Sequence, residues 1–310
     1  MKRLFNLSAY NLDWFNNDWQ QVEKFCKKNG LVGVELLAKG VNENICIEKI
    51  PIKLIKGMHL SYYLNWLPLK TGEKQELNLS EIIDNYRQEL RLASKLEVDY
   101  VIFHASHTSM EEIFTGNFKY TNKEILIEVA NIINEVLVDL DLNFKLLFEN
   151  LWWNGLTFLN KTSALNFLDK INYENKGFLL DTGHLMNTNL KLRDEADGLE
   201  YIKRILADFQ QDSDLFYGVH LHKSLSGIYR QNNTDKLYEE FKDSNDLDKK
   251  SRLTHQLIFN TDQHLPFSNK VLNEMLQIIE PIYITHEFTC ATKEEFNNYL
   301  KIQERALQGE

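Results

Sequence analysis

Short runs of β-branched, aromatic and other apolar residues alternate along this chain with longer stretches in which apolar residues return every three to four positions. The short runs at 3–8, 32–37, 57–62, 100–104, 144–149, 177–181, 217–221 and 282–287 predict eight strands. Several, Val101-Ile102-Phe103 among them, are apolar at most positions, as a parallel strand covered on both faces requires. Of the longer stretches, one places Ile82, Tyr86, Leu90 and Ala93 on a single helix face beginning near Ser80. Thr121 with Glu124, and Thr292 with Glu295, have capping-box spacing. Ile125, Val129, Ile132 and Val136 continue the first of these helices, and Phe296, Tyr299 and Leu300 the second. Eight strand–helix alternations predict an α/β fold, a closed (β/α)8 TIM barrel forming one domain over residues 1–310.

One stretch breaks the rhythm. Residues 223–261, rich in Asn, Asp, Lys and Ser, are far longer than an ordinary barrel loop and read as a polar insertion after strand 7. A short helix over 237–241 is expected inside it. With the rim loop 63–77, this insertion would set specificity.

The composition then narrows the chemistry. A net charge of −10 disfavours a general binder of nucleic acid or anionic membrane. Cys26, Cys46 and Cys290 are odd in number and widely separated, the pattern of reduced thiols in a cytoplasmic protein. No run of about 18 apolar residues is present to span a bilayer. The G-x-G-x-x-G and G-x-x-x-x-G-K-S/T loops are missing, so no nucleotide cofactor is expected. Neither a G-x-S-x-G elbow nor H-E-x-x-H occurs. Oligomeric state stays open, a homo-oligomer included.

Laying the histidines and acids over the expected strands is more informative. His59 lies near the end of strand 3, His104 closes strand 4, Glu149 strand 5 and Asp181 strand 6, with His184 three residues on. His220 and His222 end strand 7, Glu287 closes strand 8, and Asp262 and His264 sit at the far end of the insertion. A (β/α)8 barrel brings the carboxyl ends of its strands to one mouth. Carboxylates and imidazoles crowded there would repel one another and be costly to desolvate unless a cation joined them. Imidazole and carboxylate without thiolate suit Mn2+, Zn2+, Co2+ or Fe2+ better than Ca2+.

The segments Phe148-Glu149-Asn150, Leu180-Asp181-Thr182-Gly183-His184, Val219-His220-Leu221-His222, Asp262-Gln263-His264-Leu265-Pro266 and Thr285-His286-Glu287-Phe288 resemble, in order and spacing, the xylose isomerase-like TIM-barrel superfamily. That superfamily includes sugar isomerases and epimerases, and endonuclease IV (AP endonuclease family 2). The resemblance implies one divalent metal held by Glu149, Asp181, His220 and Glu287, with His184 beside the substrate. Endonuclease IV uses those positions and five more to hold three zinc ions, and His59, His104, His184, Asp262 and His264 are the counterparts here.

The expectation is a metal-dependent isomerase or epimerase of a small sugar-like substrate, in which Glu149 and Glu287 relay a proton as base and acid. Trp66, Trp152 and Trp153 would offer stacking faces, and His222 and Lys223 would contact substrate. The alternative is a trinuclear zinc phosphodiesterase acting on abasic DNA. The long insertion, the Gly33-Val34-Glu35-Leu36 strand and the lack of an Arg/Lys-rich rim loop weigh against it.

Overall fold

A computed structural model describes residues 1–38, 49–69 and 78–309; Cys46 and residues 70–77 of the rim loop lie outside them. Eight parallel strands close into a barrel in sequence order. They are β1 (Lys2–Leu7), β2 (Gly33–Leu37), β3 (Ile55–His59), β4 (Tyr100–His104), β5 (Lys145–Glu149), β6 (Lys176–Asp181), β7 (Phe216–Leu221) and β8 (Tyr283–His286).

All eight strands expected from the pattern are present, and the largest displacement of an end is at β3. There the chain leaves the sheet at Ser61, whose backbone N–H donates to Glu89 Oε2 at 2.9 Å and whose hydroxyl donates to Glu89 Oε1. Leu60 N–H still reaches Ile102 O at 3.0 Å, but with the Ser61 hydrogen bonds diverted to a helix carboxylate the ladder stops there, and His59 is the last strand residue.

The pleat sorts each strand into two faces. Outward residues such as Val101, Phe103, Leu146, Phe148 and Phe178 pack under the surrounding helices in the main core. Inward residues Leu4, Tyr100, Ile102, Leu147, Leu179 and Tyr283 fill the lower barrel as a separate cluster. Continuing upward with the same parity, the next inward positions are His104, Glu149, Asp181 and His220. Register sets these side by side: His104 pairs with Glu149, and Asp181 with His220.

The helices are α1 (Ala9–Leu12), α2 (Trp19–Lys28), α3 (Leu79–Lys95), α4 (Met110–Thr115), α5 (Asn122–Val136), α6 (Lys161–Asp169), α7 (Thr182–Asn187), α8 (Glu195–Asp208), α9 (Gly227–Lys242), α10 (Leu247–Thr261), α11 (Leu272–Ile279) and α12 (Lys293–Gln308). The Thr121/Glu124 box caps α5 in both directions. At α12, Thr292 accepts from the Glu295 N–H, while the Glu295 carboxylate takes the Ala291 N–H.

The insertion is not the polar loop with one short helix that its composition suggested. It forms a hairpin of two long helices, α9 and α10, that packs on α4. Leu237, Phe241, Leu253 and Leu257 meet Ile113, Phe114, Leu151 and Trp153 in a third apolar cluster. Few apolar residues suffice because the rest of each helix faces water. That sparse pattern reads as a loop when no partner surface is known.

Candidate metal centre

The mouth is assembled from six strand ends and the returning end of the hairpin. Asp262 caps the end of α10, where Ser224 Oγ donates to its Oδ1 at 3.2 Å and accepts from Gln263 N–H at 2.9 Å. A two-way antiparallel bridge joins Lys223 to Leu265, with N···O distances of 2.7 and 3.1 Å. This bridge ties the far end of the insertion to the exit of β7. His264 between them takes a left-handed backbone (φ 49°), a conformation that a β-carbon disfavours. At α7, a Cβ added to Gly183 would overlap the His222 ring, so the glycine lets that imidazole lie against the turn.

Hydrogen bonds to obligate acceptors reveal which imidazole nitrogens carry protons. His59 Nδ1 lies 2.8 Å from the Leu60 carbonyl, which can only accept. In the neutral ring, its Nε2 lone pair then faces Glu149 Oε2 at 3.1 Å and His104 Nε2 at 3.2 Å; His104 Nε2 is itself 3.0 Å from the same Oε2. His184 Nδ1 is 2.8 Å from the Asn150 carbonyl, leaving Nε2 toward Asp262 Oδ2 at 3.1 Å, with His264 Nε2 3.2 Å from that oxygen.

His220 Nε2 is 2.8 Å from Glu35 Oε1. Its Nδ1 is directed at Glu287 Oε2 (2.9 Å), Glu149 Oε1 (3.4 Å) and Asp181 Oδ2 (3.6 Å). His222 Nε2 lies 2.9 Å from Asp181 Oδ2.

Acceptors are thus aimed at acceptors in three places, an arrangement that needs a cation or extra protons between them. The groups His59/His104/Glu149, Glu149/Asp181/His220 and His184/Asp262/His264, with His222/His264/Glu287 overlapping them, each bring one ligand atom per residue within 4.8 Å of the others. Tetrahedral bonds of about 2.0–2.1 Å separate ligand atoms by about 3.3 Å, close to the spacings within the first and third groups. The donor set fits divalent metal.

The electrostatics agree. Burial pushes Glu149 up, but His104, His220 and His184 outweigh it and hold the carboxyl well below its usual range. The same contest, won by His184, His222 and His220, keeps Asp181 low. Burial opposes but does not prevent a depressed Asp262 beside His264 and His184. Glu287, against burial, is drawn down to about 2, chiefly by His220. Conversely, burial disfavours charge on His59, His184, His220 and His222, yet the facing carboxylates raise all four. For His104 and His264 burial prevails and lowers them.

All nine residues named as possible ligands therefore come together, joined by His222, which the sequence reading had placed on the substrate side. The tryptophans divide. Trp66 is 1 % exposed, donates its indole N–H to Ser106 O at 2.8 Å and packs on Tyr86 and Phe103, outside the barrel wall. It does not face the mouth, contrary to expectation, because the chain after β3 turns outward over α3. Trp153 is buried with its indole N–H on Ser106 Oγ at 3.1 Å. Trp152 is half-buried and its ring is 5.0 Å from that of His184. Lys223 is held by the Glu195 carboxylate rather than standing free for substrate.

Two residues escaped the sequence reading. Glu35 accepts from Tyr100 Oη at 2.7 Å and Thr285 Oγ1 at 3.0 Å besides binding His220, so it orients that ring. The signal was present: an acid alone in the apolar run Val34-Glu35-Leu36. Asn150 accepts the Asp181 N–H at 2.8 Å and donates to the Asp181 carbonyl at 3.0 Å, fixing β6 against the end of β5.

A parallel barrel with buried imidazoles and carboxylates at its carboxyl end defines the class of metal-dependent TIM barrels. Within that class, the chain belongs to the xylose isomerase-like TIM barrel family, whose model matches residues 6–273. No curated protein matches it in sequence. Among solved structures it is similar to the 3-keto-D-glucoside 4-epimerase YcjR of E. coli (13 % identity, TM-score 0.58, covering 99 % of each chain). It is also similar to endonuclease IV from Thermus thermophilus (17 %, 0.53, 100 % of each) and to the probable 3-DHS dehydratase AsbF from Bacillus anthracis (15 %, 0.54, 99 % of each). At these identities the likeness is one of fold. Among the described residues no helix is long and apolar enough to cross a membrane.

Proposed function

We propose that the chain is a multinuclear, divalent-metal-dependent hydrolase of a small phosphate ester. The observation that supports this reading best is the position of Glu149, 1 % exposed, with Oε2 against His59 and His104 and Oε1 against His184 and His220. With both oxygens engaged, Glu149 suits a carboxylate shared between neighbouring ions better than a base removing a proton from carbon.

Divalent ions at the three groups would supply Lewis acidity toward phosphoryl oxygens and make water nucleophilic near neutral pH. The chain's own work is positional. Glu35 holds the His220 Nε2 proton and thereby keeps Nδ1 turned to the carboxylates. Asn150 and Leu60 carbonyls do the same for His184 and His59. Tyr62, whose ring is 4.9 Å from that of His104, and Trp152 form an apolar wall that limits water at the mouth. The α9–α10 hairpin, packed on α4 in the cluster that includes Tyr62 and Trp152, favours a small substrate over a duplex.

The isomerase or epimerase reading retains one supporting observation. The Glu287 side chain, 18 % exposed, is the acid of this cluster most open to a substrate, and it suits proton transfer. Metal analysis with turnover on p-nitrophenyl phosphate, bis-p-nitrophenyl phosphate and a ketohexose panel separates the readings. Three ions per chain with phosphoester cleavage are expected. One ion with ketose interconversion would replace this proposal by the isomerase, and cleavage confined to abasic duplex DNA would restore the nuclease.

A further inference from the structure

Arg230 lies in the first turn of α9. Its Nη2 donates to the Ile113 carbonyl on α4 at 3.1 Å, while its Nε is buried without a hydrogen-bond partner. Among the described residues no carboxylate forms an ion pair with it, and its sequence neighbour Tyr229 is a neutral phenol whose pKa burial raises. Burial lowers the Arg230 pKa, as expected for a cation with no counter-charge. One turn along, Thr234 Oγ1 is likewise buried and unpartnered. Residues 230 and 234 share the helix face that continues through the buried Leu237 and Phe241.

The surroundings say where this face looks. Ile113, Phe114, Trp153, Tyr62, Trp152 and Tyr229 belong to the same apolar cluster. Two of its members, Tyr62 and Trp152, touch the rings of His104 and His184. Arg230, through its hydrogen bond to Ile113 and its neighbour Tyr229, is thus tied to the cluster whose other side lines the mouth. A largely buried guanidinium without an acid is destabilising in itself, and one sharing a helix face with an unsatisfied hydroxyl is accounted for by a ligand that completes both.

We infer that Arg230 and Thr234 form an oxyanion subsite on the hairpin, taking a phosphate or carboxylate group of the substrate that lies away from the reacting centre. This builds on the proposed hydrolase by making the substrate doubly functional: one ester at the metals and one anionic handle under the hairpin.

The test uses the full-length, metal-loaded protein and calorimetric titration with inorganic phosphate and, separately, acetate. At least one of the two should bind the wild type and bind Arg230→Met about tenfold or more weakly, as loss of a charged hydrogen bond implies. Arg230→Lys should fall between them, and Thr234→Val should lose a few-fold. The stronger of the two anions in wild type identifies the handle's chemistry.

Without anion, Arg230→Met should melt no lower than wild type, because it removes an unpaired charge; a purely structural arginine would lower the melting temperature instead. Equal anion binding by Arg230→Met and wild type, no binding by wild type, or a lower melting point of the anion-free variant overturns the subsite. Metal content and phosphoester turnover are read in parallel, so failure of the hydrolase reading shows there while the anion-dependent difference is scored separately.

Discussion

The inside of the barrel is one surface with two chemistries. At the lower end, inward residues Ile102, Leu147, Leu179 and Tyr283 bury apolar area and close the interior. One pleat repeat higher, β4, β5 and β6 direct His104, Glu149 and Asp181 inward and β7 adds His220, and every one of these costs free energy to bury. The difference teaches that the lower layer supports the mouth: apolar packing below holds in place a cluster that, without cations or extra protons, would favour opening. Stability and function are separated by about two residues along each strand.

Perturbing the upper layer should have the largest effect on chemistry. Glu149→Gln removes the shared carboxylate, and turnover should fall by at least about a thousandfold with metal content reduced, measured by steady-state assay and elemental analysis. An unaltered metal count with full activity would dissolve the contrast between layers. Leu147→Ala, two residues below on the same face, should do the reverse. It should cost about 2–5 kcal/mol of stability in denaturant melts while the folded fraction retains its metals.

Proton linkage sharpens the comparison. In metal-free protein, His59, His184, His220 and His222 are raised, so the stability they provide is complete below their unfolded value of about 6.5 and is lost as pH rises through their folded values. Glu149, Asp181, Asp262 and Glu287 are depressed, so their contribution is present above about 4.5 and lost as pH falls. Chelated protein should therefore melt highest near pH 5–6 and lower at pH 8. Readdition of metal should abolish that alkaline decline. A melting temperature independent of pH after chelation would contradict the cluster's electrostatics.

Smaller effects follow from the supports. Glu35→Gln should weaken metal affinity by about 10- to 100-fold with the fold intact, read by competition with a chromophoric chelator. Smallest of all, Lys223→Gln removes a half-buried pair with Glu195, whose carboxylate still accepts the Ser268 and Asn269 N–H groups. It should cost about 1–3 kcal/mol of stability and leave turnover unchanged; a large loss of turnover would return Lys223 to the substrate.

Much of this was legible beforehand because it is local. Apolar runs ending in His or an acid, as in Val101-Ile102-Phe103-His104 and Leu146-Leu147-Phe148-Glu149, state both the strand and its terminal side chain. Trp66 misled because nearness to a strand end in sequence does not fix direction; the Glu89 carboxylate that turns the chain at Ser61 lies 28 residues away. The hairpin misled because two helices with few apolar residues are recognisable only against α4.

The chain by itself determined the eight strands, their closure in order and the gathering of His59, His104, Glu149, Asp181, His220 and Glu287 at one mouth, through strand periodicity and barrel geometry; His184, Asp262 and His264 entered as ligands only through the resemblance. Only tertiary structure decided how those ligands group. Glu35 and His220 are 185 residues apart, and His184 and Asp262 are 78 apart. Which nitrogen bears a proton, which carboxylate is shared and where Arg230 comes to rest all depend on register and on the hairpin folding back. Such contacts leave no periodic trace, because nothing in local spacing relates residues that meet only when the barrel closes.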